Sequence, residues 1–135
     1  MGKYGIPSRI LAPKLHCSFV YTMPREYIAK YHLEQEYIDP ITLTELYRFR
    51  AINDQTGIYG VAGADTTKSL SPAIHNRGFE KKELNAVYIP ISGTNIQEVI
   101  EFAECTGIAG LSITHPFKFA RSRINSLRCS EHGSI

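Results

Sequence analysis

Ile58-Tyr59-Gly60-Val61-Ala62-Gly63, then Ala64 to Leu70, then Ser71-Pro72-Ala73-Ile74-His75-Asn76: the order of these pieces decides the fold. The first is a short apolar run closed by a glycine, as expected of a strand buried on both faces. The second is a polar loop. Ser71-Pro72 reads as a helix start, with Ser71 as N-cap and Pro72 in the first turn, where a missing N–H costs nothing. The spacing predicts a helix to about Lys82. The unit then repeats. Asn85-Ala86-Val87-Tyr88-Ile89-Pro90 is a second strand, and Asn95 caps a helix over Ile96 to Cys105 with Ile96, Val99, Ile100 and Ala103 on one face. Gly110-Leu111-Ser112-Ile113-Thr114 is a third strand, ended by Pro116. Strands alternating with helices predict βαβαβ: an α/β fold in three layers around a mainly parallel sheet.

Upstream the texture is uneven. Arg9-Ile10-Leu11-Ala12-Pro13 and Ser18-Phe19-Val20-Tyr21 read as short strands or strand ends, broken by Pro13 and Pro24. Glu26 to Tyr37 reads as a polar helix, Asp39 to Thr44 as a linker, and Thr44 to Phe49 as a short helix capped by Thr42 or Thr44. Downstream, Phe119 to Ile135 is basic and Ser-rich, with no core face.

Composition bounds the function. The chain has 135 residues, 43% hydrophobic and 21% charged, enough for one compact domain or a small one with a tail. A net charge of +2 makes no case for nucleic acid or an anionic membrane. No stretch approaches the ~20 apolar residues of a membrane helix, and no apolar signal region follows Met1. Cys17, Cys105 and Cys129 are odd in number and lack C-x-x-C spacing, and the five histidines are scattered. The expectation is a cytoplasmic protein with reduced thiols and no metal.

In a parallel sheet, ligands bind at the carboxyl ends of the strands. Two loops belong there: Lys68-Ser69-Leu70-Ser71-Pro72 after the first strand, and Thr114-His115-Pro116-Phe117-Lys118 after the third. Ser69 and Ser71 present two hydroxyls beside a helix start, a natural cradle for a carboxylate. Thr114 and Lys118 present a hydroxyl and an amine able to move a proton. Together they suggest a pocket for a small hydroxylated acid. Each has a plainer reading: Ser71 as a cap only, Ser69 as a loop residue on water, Lys118 as a solvated surface lysine, Thr114 as a strand end, His75 and Asn76 as loop or capping groups.

The segments Gly60-Val61-Ala62-Gly63, Lys68 to Asn76, Asn85 to Pro90 and Gly110 to Lys118 occur in an order that resembles the substrate-binding domain of shikimate dehydrogenase. The two most diagnostic are S-x-S-P-x-x-H-N at Ser69 to Asn76 and the T-x-P-x-K loop at Thr114 to Lys118. The resemblance implies NADP-dependent interconversion of 3-dehydroshikimate and shikimate in aromatic amino acid biosynthesis. It implies that Ser69 and Ser71 hold the carboxylate, Thr114 a ring hydroxyl, and that Lys118 is the catalytic lysine. Ser112 stands where many members have Asn, Tyr88 lies on the strand beside the pocket, and Phe117 replaces a common His on the loop surface. Quinate is a further candidate ligand, and a non-catalytic binding module of the quinate-repressor type is the alternative.

A second, weaker resemblance lies upstream. Ser8-Arg9-Ile10, Ala12-Pro13 and Ser18 to Tyr21 are similar to the tail of a type I 3-dehydroquinate dehydratase barrel, in which the arginine matching Arg9 holds the substrate carboxylate. The expected layout is therefore a barrel remnant over 1–43, a linker over 44–56, the shikimate dehydrogenase substrate domain over 57–118 and a non-family tail over 119–135. No glycine-rich dinucleotide loop is recognised, since Gly60-x-x-Gly63 lacks the third glycine, and no aspartate follows Lys118. The expectation is a truncated or frame-shifted piece without its NADP-binding half and without turnover alone.

Overall fold

The computed structural model describes residues 5–117 apart from Ser18. Lys118, the tail 119–135, Ser18 and the first four residues lie outside the described residues.

Three parallel strands form the sheet: β1 (Gly57–Gly63), β2 (Ala86–Ser92) and β3 (Gly110–Ile113), in the order β2-β1-β3. Tyr59 pairs with Tyr88 and Gly110, and Val61 with Pro90 and Ser112. The central position of β1 explains its apolar run, because both its faces are covered. Helix α3 (Ser71–Lys81) links β1 to β2, and α4 (Ile96–Thr106) links β2 to β3. The two helices cover opposite faces. In α3, the Phe79 ring lies 5.8 Å from Tyr59, and His75 stacks at 4.3 Å on Tyr88. In α4, Val99 is buried in the cluster that contains Ile58, Ala62, Val87, Ile89 and Ile91, the alternate positions of the same strands. The predicted three-layer α/β arrangement is what the chain adopts.

Caps decide the helix ends, with one correction. Asn95 caps α4 as predicted, its Oδ1 accepting from the Gln97 amide at 2.8 Å. Ser71 is not the cap of α3: it is the first helical residue, and Leu70 holds the cap position. The Ser71 amide instead donates to Ser69 Oγ at 3.2 Å, the two-residue reach typical of serine turns.

The N-terminal segment departs furthest from expectation. No β-strand precedes Gly57 among the described residues, so the expected strands near Arg9 and Phe19 are absent. Pro7 and Arg9 lie instead in α1 (Gly5–Ile10), with turns following to His16. Helix α2 (Arg25–Tyr31) is shorter than predicted, because His32 takes a left-handed conformation at φ 55° and closes it. The expected linker is helical. Asp39 precedes Pro40 and accepts from the Thr42 amide at 2.9 Å and the Thr42 hydroxyl at 2.6 Å, which starts a turn that widens over Thr42–Leu46. A tighter turn follows over Phe49–Ala51. Ile10, Leu11, Ile38, Leu43, Tyr47 and Ile52 share one hydrophobic cluster with the sheet. No helix among the described residues is long and apolar enough to cross a membrane.

Candidate functional site

The carboxyl ends of β1 and β3 bring the two predicted loops together. Thr114 donates its amide to Ala62 at 2.9 Å, and Ala64 donates its amide to the His115 carbonyl at 3.1 Å. Gly63 sits between them. A Cβ placed there would lie 2.5 Å from the Thr114 methyl and 2.9 Å from the His115 carbonyl oxygen, so only glycine lets the second loop come this close. Thr66 faces the same point, its methyl 3.7 Å away.

The loop after β1 is held by its own hydroxyls. Thr66 is buried, its amide donates to Ser92 Oγ at 3.1 Å, and the two hydroxyls meet at 2.8 Å, which ties the loop to the tip of β2. Asp65 accepts from the Thr67 hydroxyl at 2.6 Å and amide at 3.0 Å. Those bonds, helped by Lys68 and only partly opposed by burial, hold its carboxyl below the usual carboxylate range. The Thr66–Ser92 pair is not recognisable from spacing, since Ser92 comes from another strand. Ser69 and Ser71 are half-buried. Ser69 Oγ takes the Ser71 amide, and Pro72 has no N–H, so what this helix start offers an acid is chiefly its two hydroxyls. An oxygen that accepts one bond still has its own proton to donate.

Tyr88 and Ser112 form a second pair. Tyr88 is buried, and its phenol donates to Ser112 Oγ at 3.2 Å across the central strand. Behind it, Asn76 closes a two-bond clamp. Its amide donates to the Tyr88 carbonyl at 2.8 Å, and its Oδ1 accepts from the Tyr88 amide at 2.8 Å. β2 is an edge strand, so these outward groups have no strand to pair with, and Asn76 supplies what the sheet does not. Its role is therefore in the interior, not in the loop.

Lys118 lies outside the described residues. Its neighbour Phe117 does not: it is buried in the core cluster and donates its amide to the Thr114 carbonyl at 3.0 Å. The expectation that Phe117 modifies the loop surface is corrected, since an apolar ring at this turn gains most by anchoring the loop inward. The structure keeps Arg9 with the N-terminal segment. Its guanidinium donates to the Glu36 carbonyl at 2.7 Å and lies 4.8 Å over the Tyr37 ring.

Gly60 and Gly63, the two glycines of the Gly60-x-x-Gly63 run, do not form a dinucleotide cradle. Such a cradle needs glycines that open the backbone to a pyrophosphate. Gly63 is filled by Thr114, and a Cβ at Gly60 would lie 2.7 Å from the Ile89 carbonyl oxygen, inside the sheet. Both glycines serve packing.

Residues 61–125 match the model of the shikimate dehydrogenase substrate-binding domain. The bifunctional 3-dehydroquinate dehydratase/shikimate dehydrogenase of Arabidopsis thaliana is 35% identical over 78 residues, covering 58% of this chain and 13% of its own. The shikimate biosynthesis protein AroDE of Chlamydia pneumoniae is 33% identical over 125 residues, covering 89% of this chain and 25% of its own. A crystal structure of shikimate dehydrogenase in complex with NADP+ superposes with a TM-score of 0.50 at 35% identity, over 53% of this chain and 26% of that one. The chain thus spans about a quarter or less of these relatives.

Proposed function

We propose, on the premise that residues 61–125 are sequence of a shikimate dehydrogenase substrate-binding domain, that the tips of β1 and β3 bind shikimate or 3-dehydroshikimate. Ser69 and Ser71 donate their hydroxyl protons to the carboxylate. Thr114 pairs with a ring hydroxyl. Lys118 exchanges a proton with the hydroxyl that becomes the ketone, since an amine at this position can take and return one. Ser112, oriented by the Tyr88 phenol, offers a further bond to the ring. The observation that carries the proposal is the meeting of the two loops at Gly63. The described residues bind and orient the acid. NADP+ is named with the related structure, while Gly60 and Gly63 are closed by packing.

Descent from a dehydratase/dehydrogenase fusion is the proposal for the upstream segment. The Chlamydia match extends well beyond residues 61–125, and the Arabidopsis relative carries both names, which supports that order of domains. Arg9 would be the inherited carboxylate-binding arginine, now bonded to Glu36. Exposed, unpaired Cys17 and Cys105 suit a reducing compartment such as the cytoplasm.

Calorimetric titration of the 135-residue chain with shikimate tests the site. Heat of binding is expected. Ser69→Ala is expected to weaken it by about tenfold, because a hydrogen bond to a charged group contributes roughly 1.5–3 kcal/mol. Absence of heat, or equal affinity in Ser69→Ala, Thr114→Val and the parent chain, overturns the proposal.

A further inference from the structure

A cavity of about 350 Å³ opens between the N-terminal segment and the start of α3. Ile28, Ile38 and Leu46 form one wall, and Pro72 and Pro90 the other. Of the described residues assigned to the acid site, only Ser69 lines it; Ser71, Tyr88, Ser112 and Thr114 do not. Tyr47 lines it too. The residue is 7% exposed, and among the described residues its phenol has no hydrogen-bond partner. Burial alone acts on that phenol and pushes its pKa far up, so it remains a proton donor. Buried tyrosine hydroxyls ordinarily find an acceptor, and an orphaned buried donor costs about 1–3 kcal/mol. The cavity falls within the roughly 300–1,000 Å³ of small-molecule pockets, with apolar walls and few polar groups, as such pockets have.

The charges on the lining decide the class of ligand. They are Arg25, Glu34 and Asp39. Asp39 already faces Arg25 at 3.4 Å and takes both bonds from Thr42, which leaves Glu34 as surplus negative charge. A carboxylate entering here meets two carboxylates and one guanidinium that is already engaged. We propose that this cavity is a second binding site, for an uncharged one-ring compound whose carbonyl or hydroxyl oxygen accepts from the Tyr47 phenol. The site does not depend on the shikimate reading, and its preference for a neutral ligand is opposite to that of the strand-tip site.

Cyclohexanone and cyclohexanecarboxylate carry the same ring with and without charge, and each is titrated against the full chain by two-dimensional NMR of the tyrosine ring signals. Cyclohexanone is expected to shift the Tyr47 ring signals saturably, and the carboxylate at least tenfold more weakly. Tyr47→Phe keeps the wall but removes the donor. It should weaken cyclohexanone about fivefold, the loss of one neutral hydrogen bond. Ala73→Phe, at an exposed position on the cavity lining, should abolish the shift while leaving the thermal transition in place. Unsaturable shifts mean that the cavity holds water only, and overturn the proposal. So does equal affinity for the carboxylate, or equal affinity of the parent chain and Tyr47→Phe. Shikimate binding that persists in Ala73→Phe separates failure here from failure at the strand tips.

Discussion

Two residues carry more of this structure than their types suggest. Asn76 is buried and satisfies both backbone groups of Tyr88 on the open edge of β2. Asn76→Ala would orphan a buried amide and a buried carbonyl together, and is expected to lower stability by about 3 kcal/mol in urea unfolding. Loss of under 1 kcal/mol would mean that water replaces the clamp. Gly63 is set by space instead of hydrogen bonding. Gly63→Ala pushes a methyl against Thr114 and the His115 carbonyl, so it should displace the second loop. Shikimate affinity is expected to fall by about fivefold, as with loss of one neutral hydrogen bond. Unchanged affinity would detach Thr114 from the ligand. In the sequence, Asn76 stands in a recognisable motif, yet its partner strand is twelve residues away. Motif and role are therefore separable: the residue was found from its pattern, and its function was assigned by the edge it meets.

At the scale of elements, caps are the part of local structure that short-range chemistry controls. Asn95 was readable because its acceptor and the Gln97 amide are two residues apart. Asp39-Pro40 has the same logic, but its helix lacks apolar periodicity and widens after one turn, so the pattern was hidden. Burial pushes the Asp39 carboxyl up, but the Thr42 hydroxyl and amide with Arg25 bring it below its ordinary value. A carboxyl depressed in the folded state stabilises the fold above the pH at which the unfolded chain ionises, about 3.9 for Asp. That contribution is lost as pH falls through the folded value. Asp39→Ala is therefore expected to cost about 1 kcal/mol at pH 7. The gap to the parent chain should close as pH drops below about 4. A gap that stays constant down to pH 3 in thermal melts would refute the cap's charge dependence.

For the whole molecule, the question is whether residues 5–56 are an appendage. Ile10, Leu11, Leu43, Tyr47 and Ile52 belong to the same cluster as Ile58, Ile89 and Val99. Leu43 is 2% exposed, so Leu43→Ala should cost about 2–5 kcal/mol, a core value despite its position before the sheet. A chain starting at Asn53 would leave the apolar sheet partners of this segment in water, and is expected to lose its cooperative thermal transition. Retention of that transition would mean that the strands and their two helices fold alone.

The alternation of apolar strands with capped helices was enough to identify β1, α3, β2, α4 and β3 and a parallel sheet, because helix and strand formation and the crossover between them rest on residues close in sequence; the order β2-β1-β3 came only with the long-range pairing. The same pattern placed Ser69, Ser71, Thr114 and Lys118 in loops at the strand tips, and the family resemblance added Ser112. The Thr66–Ser92 pair, the Asn76 clamp, the inward Phe117 and the orphan phenol of Tyr47 were decided only in three dimensions. Each depends on groups far apart in the chain, and on which faces the packed core closes and which it leaves hollow.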